Sequence, residues 1–160
     1  MSKRADVLAD RLEQGAAALA TLAESLTEKE WNTKVPHDGR TVGVMVHHVG
    51  NMYPLEIGLA QTMASGKPVE GVTMDAVHEI NAAHAKEKAA VTKAEALAFL
   101  RTNAAAASAA VRAFSDADLD RAVTVSLVNG APVTTQFMLE DHAVRHSYHH
   151  TAVIRRTLGR

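Results

Sequence analysis

The stretch Glu140–His150 holds four of the chain's nine histidines. On a helix, residues four apart lie one above the other on the same face. His146 and His150 are such a pair, and so are His142 and His146. Two imidazoles one turn apart can point at one ion, the geometry in which helical histidine pairs bind zinc. A transition metal needs a third ligand from elsewhere in the chain. The pair His47-His48, far upstream, is the candidate source.

Placing helix positions at roughly 100° per residue separates these histidines. Leu139, Ala143, Val153 and Ile154 define the core-facing sector of the last helix, and His146 and His150 fall inside it. His142 lies near the edge, and His149 further out, toward Arg145 and Arg156. Upstream, Met45, His48, Met52, Leu55 and Leu59 alternate at spacings of three and four, so His48 sits within an apolar stripe and His47 beside it. A lone histidine on an apolar face is ordinarily a satisfied core residue. Three inward imidazoles on two helices each need hydrogen-bond partners that helix interiors rarely supply. Metal coordination meets that need at once. His37, His78 and His84 read as surface or loop residues. Trp31 reads as a core plug, and Met45 and Met52 as packing.

The elements that must position the histidines are helical. Leu8, Leu12, Leu19, Leu22 and Leu26 form one stripe over residues 4–26. Thr27 caps a short turn carrying Trp31, and the Pro36- and Gly39-containing segment 33–40 is a loop. Thr41 caps a helix to about Ala64, with Pro54 expected to kink or loosen it. Met74, Val77, Ile80 and Ala83 mark a third helical region. Thr92 and Glu95 form a capping box ahead of an alanine-rich helix striped by Leu97, Leu100, Ala104, Ala107, Val111 and Phe114. Its small residues would let a neighbour approach closely. Val123, Val125 and Leu127 alternate with polar residues before Asn129-Gly130, which predicts a β-ribbon over 123–134 with Pro132 on an edge. The last helix runs from about Thr135 to Leu158.

Composition narrows the function classes. A chain of 160 residues can bury one full core, and no repeat or linker divides it, so residues 1–160 read as one domain. The net charge of −1 comes from interleaved acids and bases, which argues against a nucleic-acid surface. There is no cysteine, so any metal site uses nitrogen and oxygen ligands. No apolar run approaches a membrane span, and the start does not read as a signal peptide, so a cytoplasmic protein is expected.

Val-Gly-Val-Met-Val-His47-His48-Val-Gly-Asn and Arg-His146-Ser-Tyr-His149-His150-Thr-Ala-Val-Ile-Arg together resemble the DinB/YfiT-like superfamily. The order of elements agrees across essentially the whole chain. The resemblance implies an all-α, DinB-like four-helix bundle with a small β-hairpin before the last helix. It implies one divalent metal, zinc or nickel, held by His48, His146 and His150. His48-Val49-Gly50-Asn51 fits the family's second-helix ligand pattern and His47 does not. His142, His149 and His47 remain additional nitrogens, and Glu140 or Asp141 additional carboxylates. Three imidazoles leave coordination positions open, the layout of a catalytic site. The resemblance implies a metal-dependent enzyme acting on a small molecule, either a hydrolase or an S-transferase using a low-molecular-weight thiol from solution. A non-catalytic binding or stress-response module is the alternative. It also implies a homodimer.

Overall fold

A computed structural model describes residues 2–160. The helices are α1 (Lys3–Ser25), α2 (Glu28–Trp31), α3 (Val42–Ala64), α4 (Met74–Glu87), α5 (Lys93–Arg112) and α6 (Asp116–Asp120). Strands β1 (Ala122–Val125) and β2 (Ala131–Thr134) follow. The last helix comprises α7 (Thr135–Met138), a π-helical turn (Leu139–Val144) and α8 (Arg145–Leu158). Four long elements form the bundle in the order α1, α5, α3, last helix and back to α1. Local chemistry sets the boundaries. Thr41 caps α3 by accepting from the Val44 N–H, and Thr92 and Glu95 close a capping box at α5.

The leucine stripe of α1 is buried, with Leu8, Leu12 and Leu19 each no more than 2% exposed. It meets Leu100, Ala104 and Val111 of α5. The small residues act as expected. A Cβ on Gly50 would sit 3.0 Å from the Leu100 Cα, so α3 and α5 touch at backbone distance there. Trp31 is a core plug, and a Cβ on Gly43 would lie 2.4 Å from its indole. Its Nε1–H donates to the Val91 carbonyl.

Pro54 does not end α3, which stays helical from Val42 to Ala64. Proline has no N–H to donate to the carbonyl four residues back, that of Gly50. The Asn103 side-chain amide of α5 donates to that carbonyl instead, at 2.9 Å. The hairpin pairs Val123 with Val133 and Thr124 with Pro132. Its connection is longer than a two-residue turn: a 3-10 turn over Ser126–Val128, then Asn129 and Gly130 at positive φ. Val69 bridges to Val125, which ties the segment after α3 to the hairpin and builds a second small core with Met63 and Met138. No helix of the described residues is long and apolar enough to cross a membrane.

The carbonyl of Gly50 generates a prediction. Asn103→Ala should cost about 1–2 kcal/mol, the usual penalty of an unsatisfied backbone acceptor. In a Pro54→Ala background, where residue 54 regains its N–H, the same change should cost less. Urea denaturation of the four proteins of this cycle checks it; equal losses in both backgrounds would refute the account.

Candidate metal centre

α3 and α8 face each other at one end of the bundle, and three imidazoles meet there. His48 and His150 are buried, 3% and 8% exposed, and His146 is half-buried. His146 Nε2 lies 3.1 Å from His48 Nε2. The ring centroids of His48 and His150 are 5.2 Å apart, and those of His146 and His150 are 4.8 Å apart. One ligand-capable atom from each of the three falls within 4.8 Å of the others, and they are the one such histidine, cysteine or carboxylate trio among the described residues. The structure thus brings together the three residues that helical spacing selects.

The remaining histidines divide differently. His37 and His78 are exposed, as expected. His84 is not a surface residue: it is 6% exposed, and its Nε2 lies 2.8 Å from Nδ1 of His47. The correction has a physical reason. The inner face of α4 is Val77, Asn81 and His84, while Met74 and Ile80 of the apolar stripe are 52% and 44% exposed. α4 covers a polar part of the bundle, so its polar side turns inward. His47 belongs to this second pair and stacks on Phe99, with centroids 4.3 Å apart and planes at 6°. His142 does not stack on His146. It lies in the π turn, whose wider spacing breaks the four-residue register, and its nearest carboxylate is Asp141 at 3.7 Å. Glu140 points away, to Arg11.

Glu56 is the residue that sequence reasoning missed. It is 4% exposed, two turns beyond His48 on α3, and its Oε1 lies 2.5 Å from His146 Nδ1. The carboxylate accepts from Nδ1–H, so Nε2 is the ring nitrogen of His146 that is directed at the cluster. A carboxylate behind a metal-binding histidine fixes its tautomer and ring orientation in this way. The available signal was a single glutamate in an otherwise apolar segment, eight residues from a histidine on the same stripe. Beside it, the Tyr53 hydroxyl and Ser147 Oγ hydrogen-bond in a fully buried contact that joins α3 to α8.

The donor set fits a divalent cation. Burial, reinforced by the neighbouring His146 and by Arg40, holds His48 far below the usual imidazole range. Burial does the same to His150, with His146 next in weight. Both rings are neutral at pH 7, the form that binds metal. Two imidazole nitrogens bound tetrahedrally to one zinc stand about 3.3 Å apart, close to the observed 3.1 Å between His48 and His146. Nδ1 of His48 and of His150 are buried without a protein partner.

A cleft of about 460 Å³ opens from the three histidines. Met52, Leu55 and Leu59 of α3, Val77 of α4, and Leu127 and Val128 of the hairpin turn supply an aliphatic wall. Arg40, Asn81, Asp141, Arg145 and His149 add polar groups. Eight buried side-chain nitrogen or oxygen atoms of the described residues lack a partner, and five belong to residues lining this cleft: Arg40, His48, Glu56, Asn81 and His150. Such atoms are rare in folded proteins, so their concentration makes the cleft the candidate site.

The lowered imidazole values carry a sign for stability. His84 falls from 6.5 to about 4 through burial, then through His47. Below pH 6.5 the unfolded chain binds protons that the folded His48, His84 and His150 refuse, so stability falls as pH drops from about 6.5 toward 4. Metal-free protein should lose urea resistance steadily between pH 7 and 5; a midpoint unchanged over that interval would contradict the burial account.

The family model of the DinB superfamily matches residues 11–154. No curated protein matches the chain. Among solved structures, YfiT from Bacillus subtilis is similar over 99% of this chain and 90% of its own, with a TM-score of 0.76 and 22% identity. That protein is described as a probable metal-dependent hydrolase with an unusual four-helix bundle topology. At this identity the likeness is one of fold. The match of the family model runs from the middle of α1 to the end of the histidine-bearing helix, and the chain belongs to the DinB superfamily.

Proposed function

We propose that this chain is a divalent-metal-dependent enzyme, with zinc or nickel held by His48, His146 and His150, and that its reaction is hydrolysis of a small molecule. The observation that carries the reading is the convergence of three imidazoles on a cleft, with Nδ1 of one of them turned away from the cluster to Glu56. Three protein ligands leave a position for water or substrate. A divalent ion bound there supplies Lewis acidity, lowering the pKa of a coordinated water or thiol and polarising a carbonyl.

The chain's own groups do the rest. Glu56 keeps the His146 proton at Nδ1, so Nε2 stays free to bind. The aliphatic wall excludes water around a substrate, which strengthens polar interactions inside. Room favours hydrolysis over transfer to a thiol. A volume of about 460 Å³ is near the lower end of the range for one small ligand. Thiol transfer needs two organic molecules in that space, one of them supplied from solution because the chain has no cysteine. S-transfer remains the second reading, supported by the cleft's exposed rim at Arg145 and His149, where a larger thiol has space to enter. The description of YfiT as a hydrolase agrees with the first.

Elemental analysis of untagged protein should find about one metal ion per chain, lost in His48→Ala, His146→Ala and His150→Ala. Glu56→Ala should retain the fold and bind the ion ~10–100-fold more weakly. Metal-loaded protein should then turn over members of an ester and amide panel without added thiol. Conjugation of electrophiles only with thiol would establish S-transfer instead. Full metal with neither activity would establish the binding-module alternative, and wild-type protein that takes up no metal would overturn the reading altogether.

A further inference from the structure

Arg40 stands beside the three histidines and belongs to neither the ligand set nor the bundle core. It lies at the end of the 33–40 loop, one residue before the cap of α3, and lines the cleft. Its backbone carbonyl accepts from the Val35 N–H, which closes the loop behind it. Asp38 clamps the guanidinium from one side: Nε donates to Oδ1 at 2.6 Å and Nη2 to Oδ2 at 2.7 Å. Asp38 Oδ1 also accepts the Arg40 backbone N–H. The Arg40 side chain is only 14% exposed.

This clamp uses one edge of a rigid fork. The guanidinium has five N–H groups, and the edge formed by Nη1 with the second N–H of Nη2 is suited to a second planar anion. Nη1 is buried and donates to nothing in the protein. A charged donor left without an acceptor is costly. Arg40 lines the same cleft as His48, His146 and His150. Away from them the wall is aliphatic: Met52, Leu55, Leu59, Val77, Leu127 and Val128. No phenylalanine, tyrosine or tryptophan lines the cleft.

We propose that Arg40 is the carboxylate anchor of this cleft, and that the site takes small aliphatic carboxylates whose acidic group docks on the free guanidinium edge and whose alkyl part lies along the α3–α4–hairpin wall. The inference deepens the metal-dependent reading and rests on it. Asp38 positions Arg40 and keeps its side-on edge occupied, so that only the outer edge is offered. Arg40 acts in recognition, while the histidines hold the ion.

Calorimetric titration of zinc-loaded protein with hexanoate, hexan-1-ol and acetate tests this. Zinc stoichiometry is measured first, so failure of the metal reading shows there and is separate from failure of the anchor. Hexanoate should bind at least tenfold more tightly than hexan-1-ol, which has the tail without the charge, and than acetate, which has the charge without the tail. Arg40→Gln should lose at least tenfold in hexanoate affinity, with zinc content and hexan-1-ol binding unchanged. Val77→Phe, which narrows the aliphatic wall and spares Arg40, should weaken hexanoate and leave acetate alone. Wild-type hexanoate affinity in Arg40→Gln would put the carboxylate on the metal and overturn the proposal. So would equal binding of hexanoate and hexan-1-ol, a comparison that stands even if Arg40→Gln does not fold.

Discussion

Three imidazoles gathered at one end of a helix bundle need partners for their ring nitrogens, and two of them, His48 and His150, are buried and held neutral. That constraint governs the rest of the site. Helix backbones are occupied with their own hydrogen bonds and offer these nitrogens no partner. Glu56 accepts from His146 Nδ1–H, and His48 sets its Nε2 3.1 Å from His146 Nε2. Glu56 and His48 both stand on α3, so the relation between α3 and α8 is fixed by two contacts at once. The buried Tyr53–Ser147 hydrogen bond lies in the same seam. On its other side α3 meets α5 at Gly50, where Asn103 serves the carbonyl that Pro54 leaves without a donor. The helix carrying the first histidine is therefore held on both flanks by polar contacts specific to these residues.

The scaffold that bears this arrangement is ordinary in its energetics. Leucines of α1 and small residues of α5 bury a continuous apolar core, which supplies the stability that the polar end consumes. Unsatisfied polar atoms gather where the core ends and the cleft begins. α4 shows the same division at the scale of a helix. It buries one residue, His84, and leaves Met74 and Ile80 to solvent, because the surface it covers is polar.

The bundle was legible in the sequence wherever apolar residues recur at helical spacing, as along Leu8–Leu26 and Leu97–Phe114. His146 and His150 were legible as a pair because both lie within α8, a regular α-helix to which the 100° rule applies. The pairing of His142 with His146 failed because the π turn at Leu139–Val144 intervenes, and no residue type announces such a turn. His84 was misread because a stripe search rewards apolar residues, and on α4 the buried face is Val77, Asn81 and His84. Glu56 was missed for a related reason. Its contact is with His146, far away in the chain, and periodicity does not carry such a pairing.

The central claim is that His48, His146 and His150 form one coordination sphere with an open position. X-ray absorption spectroscopy of the zinc-loaded protein reads that sphere directly. Three imidazole nitrogens at about 2.0–2.1 Å are expected, with one or two oxygen ligands completing the shell. A shell with one imidazole or none, or a closed shell of four imidazoles that leaves no place for water or substrate, would contradict it.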